Sequence, residues 1–370
     1  MKSKKRLGFI TKLLLGINVG LVFALLISYL APVTDPGKIW IIAFFGLAYP
    51  PLLLVNVLII IFWIFKKSWF ALISLLSILA GYRVMQNSFG FNSARTYTRK
   101  ESPDAIRIMT YNVHSFKKYG SKNDIWTKHE ILDIIREHQP DILGFQEYYT
   151  RKKGEYDMTD SIKSILNKAN LYFEAVNYDN SRDAQGVAIF SKYPIINKGI
   201  IQISEKGNGN QCIFIDVKNK EQIFRYYCVH LKSIGFEKED YQYLDSVSKK
   251  GKTDMHSFRR IGSKLKQAFI ARSRQVHLIK EQIKQCPYPY IIAGDFNDTP
   301  SSYAVHEMST GLKNAFREKG NGLGRTYNGD FPNYQIDYIL TSPRFNVEDY
   351  RVIEKKLSDH YPVYSDLVLK

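Results

Sequence analysis

Asn112, Gln146-Glu147, His230, Asp295-Phe296-Asn297 and Ser358-Asp359-His360 each close or follow an apolar run of this 370-residue chain. Carboxylates are the hard oxygen donors that Mg²⁺ prefers, imidazoles transfer protons near neutrality, and amide N–H groups stabilise oxyanions. Any one of these clusters is ordinarily a cap or a turn. Five in one order between Asn112 and His360 point to a single site for divalent-metal hydrolysis of a phosphodiester.

Glu147 ends the run Ile142-Leu143-Gly144-Phe145 and is the first choice for a metal ligand, a carboxylate presented at a sheet edge. An ordinary surface glutamate is its plain alternative. In Gly294-Asp295-Phe296-Asn297, glycine lets the backbone turn and approach a ligand, while Asp295 and Asn297 point the same way with Phe296 packed behind. The carboxylate would orient or deprotonate water, and the amide would donate to a phosphate oxygen. An Asx turn would use the same residues. Asp337 lies inside the otherwise apolar Ile336-Asp337-Tyr338-Ile339. A buried Asp needs a partner, and His360 can supply one in a bond that fixes the imidazole tautomer and favours its charged form. His230, after Cys228-Val229, is a second histidine at a strand end.

Strand-like and helical runs alternate to position these groups: strands over 106–111 and 141–146, helices over 126–138 and 158–168. Five short strands follow between 171 and 231, read as one antiparallel meander. The longest helical pattern covers 255–285 and is stopped by Pro287 and Pro289. Strands over 291–293, 335–341, 345–352 and 361–369 complete an α+β pattern of two sheet layers with helices outside.

Residues 1–85 differ in kind and are read as a membrane region of two to three transmembrane helices, followed by a linker over 86–101 and a catalytic domain over 102–370. The apolar runs are 7–31, with Lys12 inside, 39–65 without a charge, and the short 69–82. A cleaved signal peptide over 1–31 is the competing reading. Lys2, Lys4, Lys5, Arg6, Lys66 and Lys67 would lie on one side if all three runs cross. The expectation is a bacterial inner-membrane protein with a cytoplasmic N-terminus and an extracytoplasmic catalytic domain, although Arg83, Arg95, Arg99 and Lys100 would then be translocated. Scarcity of ionisable residues in the apolar runs argues against a transporter.

The net charge of +17 suggests anionic partners. Between Lys249 and Lys280 stand ten Lys or Arg residues, Lys252 among them, against one acid, Asp254. Such a helix would meet lipid headgroups, track a nucleic-acid backbone, or be a solvated face. Cys212, Cys228 and Cys286 have neither disulfide nor zinc spacing and read as small buried hydrophobes.

Thr110-Tyr111-Asn112-Val113, Gln146-Glu147, residues 186–191, His230-Leu231-Lys232-Ser233, Gly294-Asp295-Phe296-Asn297, Ile336-Asp337-Tyr338 and Ser358-Asp359-His360 resemble the motifs of the endonuclease/exonuclease/phosphatase superfamily, the DNase I-like fold. The resemblance covers about 106–369. It implies a four-layer αββα sandwich with the site at one end of the paired sheets, binding Mg²⁺ or Mn²⁺. Glu147 would be the principal metal ligand, with Asn112 and Asp359 beside it. Asp295 would position the attacking water, Asn297 and Asn112 would bind the substrate, and His360 would pair with Asp337. His230 would assist the phosphate or the leaving group. His114 departs from an Asp found in relatives that resemble abasic-site nucleases. That weakens a transfer of their activity and leaves contact with metal or substrate, or a structural role, open for His114.

The expected function is a membrane-anchored phosphodiesterase of nuclease type, with membrane lipids held by the N-terminal helices. The alternative substrate is a phospholipid or sphingolipid headgroup. A non-catalytic binding module would ordinarily have lost Glu147, Asp295 or His360, and all three are present.

Overall fold

The computed structural model describes residues 8–93, 99–117, 125–179, 183–205, 207, 209–251, 253–329 and 333–370. Lys2, Lys4, Lys5, Arg6, Arg95 and Lys252 lie outside the described residues.

The apolar N-terminal region forms helices α1 (Phe9–Ser28), α2 (Ile41–Leu47), α3 (Tyr49–Phe65) and α4 (Ala71–Ala80), then the polar α5 (Tyr82–Ser88). Phe9–Val33 is long and apolar enough to cross a bilayer by itself. The run over 39–65 is not one straight span: α2 and α3 meet at 60°. Pro50 and Pro51 cannot donate a helical hydrogen bond, so they begin a new helix rather than extend the old one. The third run gives only the ten-residue α4, about 15 Å long and shorter than a hydrocarbon core of about 30 Å. Buried amides hold these helices together. Asn18 donates to Ser74 Oγ at 2.6 Å, Ser74 to Asn56 Oδ1 at 3.0 Å, and Trp63 Nε1 to Asn18 Oδ1 at 3.2 Å.

Part of the expected linker is ordered, because β1 (Gly90–Phe91) pairs with β11 (Asn321–Gly322). Two six-stranded sheets follow. One contains β2 (Ile106–Asn112), β3 (Ile142–Arg151), β4 (Asn170–Asp179), β5 (Asp183–Ser191), β13 (Phe345–Val352) and β14 (Val363–Leu369), in the order β13-β14-β2-β3-β5-β4. The other contains β6 (Ile195–Ile201), β7 (Gln211–Asn219), β8 (Gln222–His230), β9 (Tyr290–Asp295), β10 (Lys313–Asn314) and β12 (Asp337–Thr341), in the order β10-β12-β9-β8-β7-β6. The expected single meander over 171–231 is therefore divided. β4 and β5 close the first sheet, while β6, β7 and β8 open the second, because the chain crosses between layers at Lys192-Tyr193-Pro194.

Each sheet has one parallel pair, β2–β3 and β8–β9. A parallel pair needs a crossover. Helix α6 (Ile125–His138) supplies the first, and α8 (Lys238–Lys250) with the 29-residue α9 (Met255–Ile283) the second. Helices α7 (Met158–Ile165), α10 (Tyr303–Ser309) and α11 (Ala315–Lys319) complete the set.

Alternation along the strands makes three cores. Ile106, Ile108, Ile142, Tyr226, Cys228, Ile291, Ala293 and Ile339 meet between the sheets. Met109, Tyr111, Leu143 and Phe145 face Ile131, Ile135, Met158 and Ile162 of α6 and α7. Tyr227, Val229, Ile292 and Leu340 face Val276 and Ile279 of α9 and Val305 and Met308 of α10. The layers are thus helix, sheet, sheet, helix: the αββα sandwich.

Candidate active site

Strand parity carries the site residues inward. Side chains two apart share a face, so Asn112 follows Ile106 and Ile108 into the space between the sheets. His230 follows Tyr226 and Cys228, Asp295 follows Ile291 and Ala293, and Asp337 precedes Ile339 on the same face. Because β2–β3 and β8–β9 are parallel, their C-terminal ends lie together. His230 is the register partner of Asp295, and Asp295 is the antiparallel partner of Asp337.

Glu147 needs a different device. Parity would turn it toward the helices, where Phe145 packs. Between Phe145 and Tyr148 the pairing with β5 shifts, so that two residues of β3 oppose one, and Glu147 takes a left-handed φ of +52°. This bulge re-aims Glu147 into the site and returns Tyr148 to the helix side. Gln146 stays buried beneath, donating to Thr110 Oγ1 at 3.1 Å.

Asp295 is the hub. Its Oδ2 accepts from Asn112 Nδ2 at 3.1 Å and from Asn297 Nδ2 at 3.0 Å, and its Oδ1 from the Asn297 backbone N–H at 2.8 Å. The same Oδ2 lies 3.7 Å from both His230 Nε2 and His360 Nε2. Burial pushes its carboxyl up to about 6, against the downward pull of His360. His360 Nδ1 lies 3.0 Å from Asp337 Oδ2. Burial alone would lower the His360 pKa, but the carboxylates of Asp337 and Asp295 outweigh it and raise the imidazole well above its usual value. His230 Nδ1 faces the Gly209 carbonyl at 3.1 Å. A carbonyl only accepts, so Nδ1 carries a proton and Nε2 is the atom presented to the site.

On the open side, Glu147 Oε2 and Asp359 Oδ1 converge on one atom, His114 Nδ1, at 3.4 and 3.9 Å. Burial would raise Glu147, but the His114 hydrogen bond and the positive fields of the three histidines hold it down at about 2. Two carboxylates aimed at one position, with Asn112 beside them, form an oxygen-rich donor set that fits Mg²⁺ or Mn²⁺. Asp295, Asp337 and His360 form a second, deeper group of donors whose ligand atoms lie within 4.8 Å of one another. His360 Nδ1 is already engaged by Asp337, so the outer set is the more open to an ion. A cavity of about 190 Å³ joins the two, lined by Asn112, Glu147, Asp295, Asn297, Asp359 and His360.

Ser358, part of the last motif, acts as a positioning residue, whereas Thr326 and Tyr327 gave no sequence signal. Ser358 Oγ donates to the Asn112 carbonyl at 2.8 Å and ties the last motif to the first. Thr326 Oγ1 accepts from the Ile336 and Asp337 N–H groups, and Tyr327 meets the His360 ring edge-on. The basic stretch of α9 is only partly an open face. Arg260 and Lys264 hold Asp240 at 2.7 Å, and the buried Arg272 holds Asp298 at 2.8 Å and the Lys232 carbonyl at 3.1 Å. Cys212 and Cys228 are buried and free, as expected, and Cys286 is free and partly buried.

The sequence profile of the Endonuclease/Exonuclease/phosphatase family matches residues 109–360, and that of a domain of unknown function matches residues 11–88. No curated protein matches the chain. An endonuclease/exonuclease/phosphatase from Bacteroides vulgatus is 19% identical with a TM-score of 0.53, over 72% of this chain and 99% of its own. The mannosyl-6-phosphatase of Bacteroides thetaiotaomicron is 20% identical with a TM-score of 0.50, over 71% and 100%. The human Nocturnin catalytic domain, solved with bound sulfate, is 19% identical with a TM-score of 0.51, over 75% and 100%. These likenesses establish the fold. The profile covers more than half of the chain and spans every polar group gathered at the sheet ends: this chain belongs to the Endonuclease/Exonuclease/phosphatase family and is a metal-dependent phosphoric ester hydrolase.

Proposed function

We propose that the chain is a membrane-anchored phosphoester hydrolase in which Asp295 directs water at phosphorus. Residues 1–85 are its membrane region, 86–101 the connection and 102–370 the catalytic domain, on the extracytoplasmic side of a bacterial inner membrane. The observation that supports the catalytic part of this reading is one buried carboxylate oxygen, Asp295 Oδ2, within reach of Asn112, Asn297, His230 and His360, and the anchor rests on the length and apolar composition of Phe9–Val33.

Glu147, Asp359 and Asn112 would hold Mg²⁺ or Mn²⁺, which when bound would supply Lewis-acid stabilisation of charge on the phosphoryl oxygens. Asp295, with a carboxyl raised toward neutrality by burial, orients water and accepts its proton. His230 presents Nε2 to the phosphoryl oxygens, while Asn297 Nδ2, donating to Asp295 Oδ2 and the Leu231 carbonyl, and Asn112 Nδ2, donating to Asp295 Oδ2 and Glu147 Oε1, hold the carboxylates that face the substrate. Asp337 keeps His360 oriented and charged, so that His360 balances negative charge as the ester oxygen leaves. That oxygen takes its proton from one of the two site histidines, His360 or His230, and single His360→Ala and His230→Ala variants identify the donor.

Hydrolysis of bis-p-nitrophenyl phosphate by the full chain tests this reading. Turnover with Mg²⁺ or Mn²⁺ that EDTA stops is the expected result, and turnover indifferent to EDTA would exclude it.

A further inference from the structure

The cavity at Asp295 and His360 continues into an apolar lobe formed by Leu47, Ile234, Phe236, Leu265 and Phe269. Three separate stretches build it: the end of α2, the segment after β8, and α9. Leu47 lies outside the residues that the family profile matches, so the lobe is partly made by the N-terminal helical region. Its position is secured from several directions. Tyr334 donates its hydroxyl to the Leu47 carbonyl at 3.3 Å, and Phe44, one turn earlier, meets Phe269 edge-on with centroids 5.3 Å apart. Lys266 Nζ lies 4.5 Å from the centre of the Trp40 ring, and Ser273 Oγ donates to Asp35 at 2.5 Å. Ile261, Leu265 and Phe269 are buried in the same cluster as Ala43, Phe44 and Leu47.

An apolar wall beside a phosphate position selects for what is attached to the phosphate. Among the described residues, Arg272 is the one Lys or Arg lining the cavity, and it is buried and engaged by Asp298. The lobe therefore offers no open cation to the next phosphate of a polyanion. The cavity volume of about 190 Å³ exceeds the roughly 150 Å³ of an apolar cavity that takes up benzene, so it has room for a phosphoryl group with a short stem.

We propose that α2, through Leu47, completes an apolar subsite beside the phosphate position, and that the substrate is an amphiphilic phosphoester whose alkyl part lies against Leu47, Phe236 and Phe269. This rests on the hydrolase reading above and adds its substrate class. The N-terminal region is then part of the site as well as an anchor.

The test uses the full chain in phosphatidylcholine nanodiscs, with bis-p-nitrophenyl phosphate and with methyl, butyl and octyl p-nitrophenyl phosphate diesters. Each buried methylene is expected to raise kcat/KM by about fourfold, so butyl should exceed methyl by at least about tenfold. Partition of longer esters into the bilayer is the same for every variant. Leu47→Asn should move the butyl-to-methyl ratio toward one, and Leu47→Met should keep it. Should Leu47→Asn fail to fold, Leu47→Ala replaces it: a butyl-to-methyl ratio lowered severalfold supports the subsite, and a ratio equal to that of the wild type overturns it. A flat wild-type series with normal bis-p-nitrophenyl phosphate turnover would overturn the subsite and leave the hydrolase reading intact. No turnover of any ester would overturn both. Faster cleavage of plasmid DNA than of the butyl ester, falling steeply with salt, would assign the cavity to a polyanion and overturn the proposal.

Discussion

Asp295 and Asp337 face each other as register partners across β9 and β12, and His360 spans the pair, with Nδ1 3.0 Å from Asp337 and Nε2 3.7 Å from Asp295. Two carboxylates at adjacent strand ends would repel if both were ionised in a dry site. The imidazolium between them makes the arrangement tolerable.

Asp337→Asn should therefore act through His360. The variant keeps shape but removes the carboxylate that most strongly favours the charged imidazole. A loss of about 10²-fold in kcat is expected. The alkaline limb of the pH–rate profile should shift to lower pH, and a limb that stays in place would argue against the pairing.

The rate should be bell-shaped in pH. Below about pH 6, the value to which burial raises Asp295, the carboxyl is protonated and cannot take a proton from water. Rate should then fall about tenfold per pH unit. The alkaline limb follows loss of the His360 proton. Stability has the matching sign: a raised His360 pKa contributes fully below the unfolded value of 6.5 and is lost as pH rises through the folded one.

Gly294 has φ +147°, and a Cβ there would stand 2.0 Å from the Val229 carbonyl oxygen, its parallel partner. Gly294→Ala should force β8 from β9 at the point where His230 and Asp295 are set. A stability loss of at least about 2 kcal/mol is expected, read as a lower denaturant midpoint, together with loss of turnover.

Arg107 and Asp366 form a buried two-pronged pair at 2.7 and 2.6 Å between β2 and β14. Asp366→Ala should cost about 3–5 kcal/mol by stranding the guanidinium. Arg107→Met with Asp366→Leu should recover most of that in thermal unfolding.

Much of the site's assembly was legible from strand parity. Asn112, His230, Asp295 and Asp337 continue alternations of apolar residues that face the opposite sheet, so their convergence followed from the pattern. Glu147 was legible as a carboxylate at a strand end, but its direction was not, because parity sends it the wrong way and only a bulge corrects it. The division of 171–231 between two sheets was hidden because short apolar strands look alike whichever layer they join. The pairing of Arg272 with Asp298 was hidden inside a count of basic residues. The contact of Phe44 and Leu47 with α9 had no signal, since an apolar run reads the same against lipid or protein.

The most direct test of the account replaces the hub. Turnover of bis-p-nitrophenyl phosphate with saturating Mn²⁺ is to be measured for the wild type and for Asp295→Ala, with folding of the variant checked by circular dichroism. A folded variant slowed by about 10²- to 10⁴-fold is the predicted result. A folded variant that turns over at the wild-type rate would contradict the assignment of water activation to Asp295.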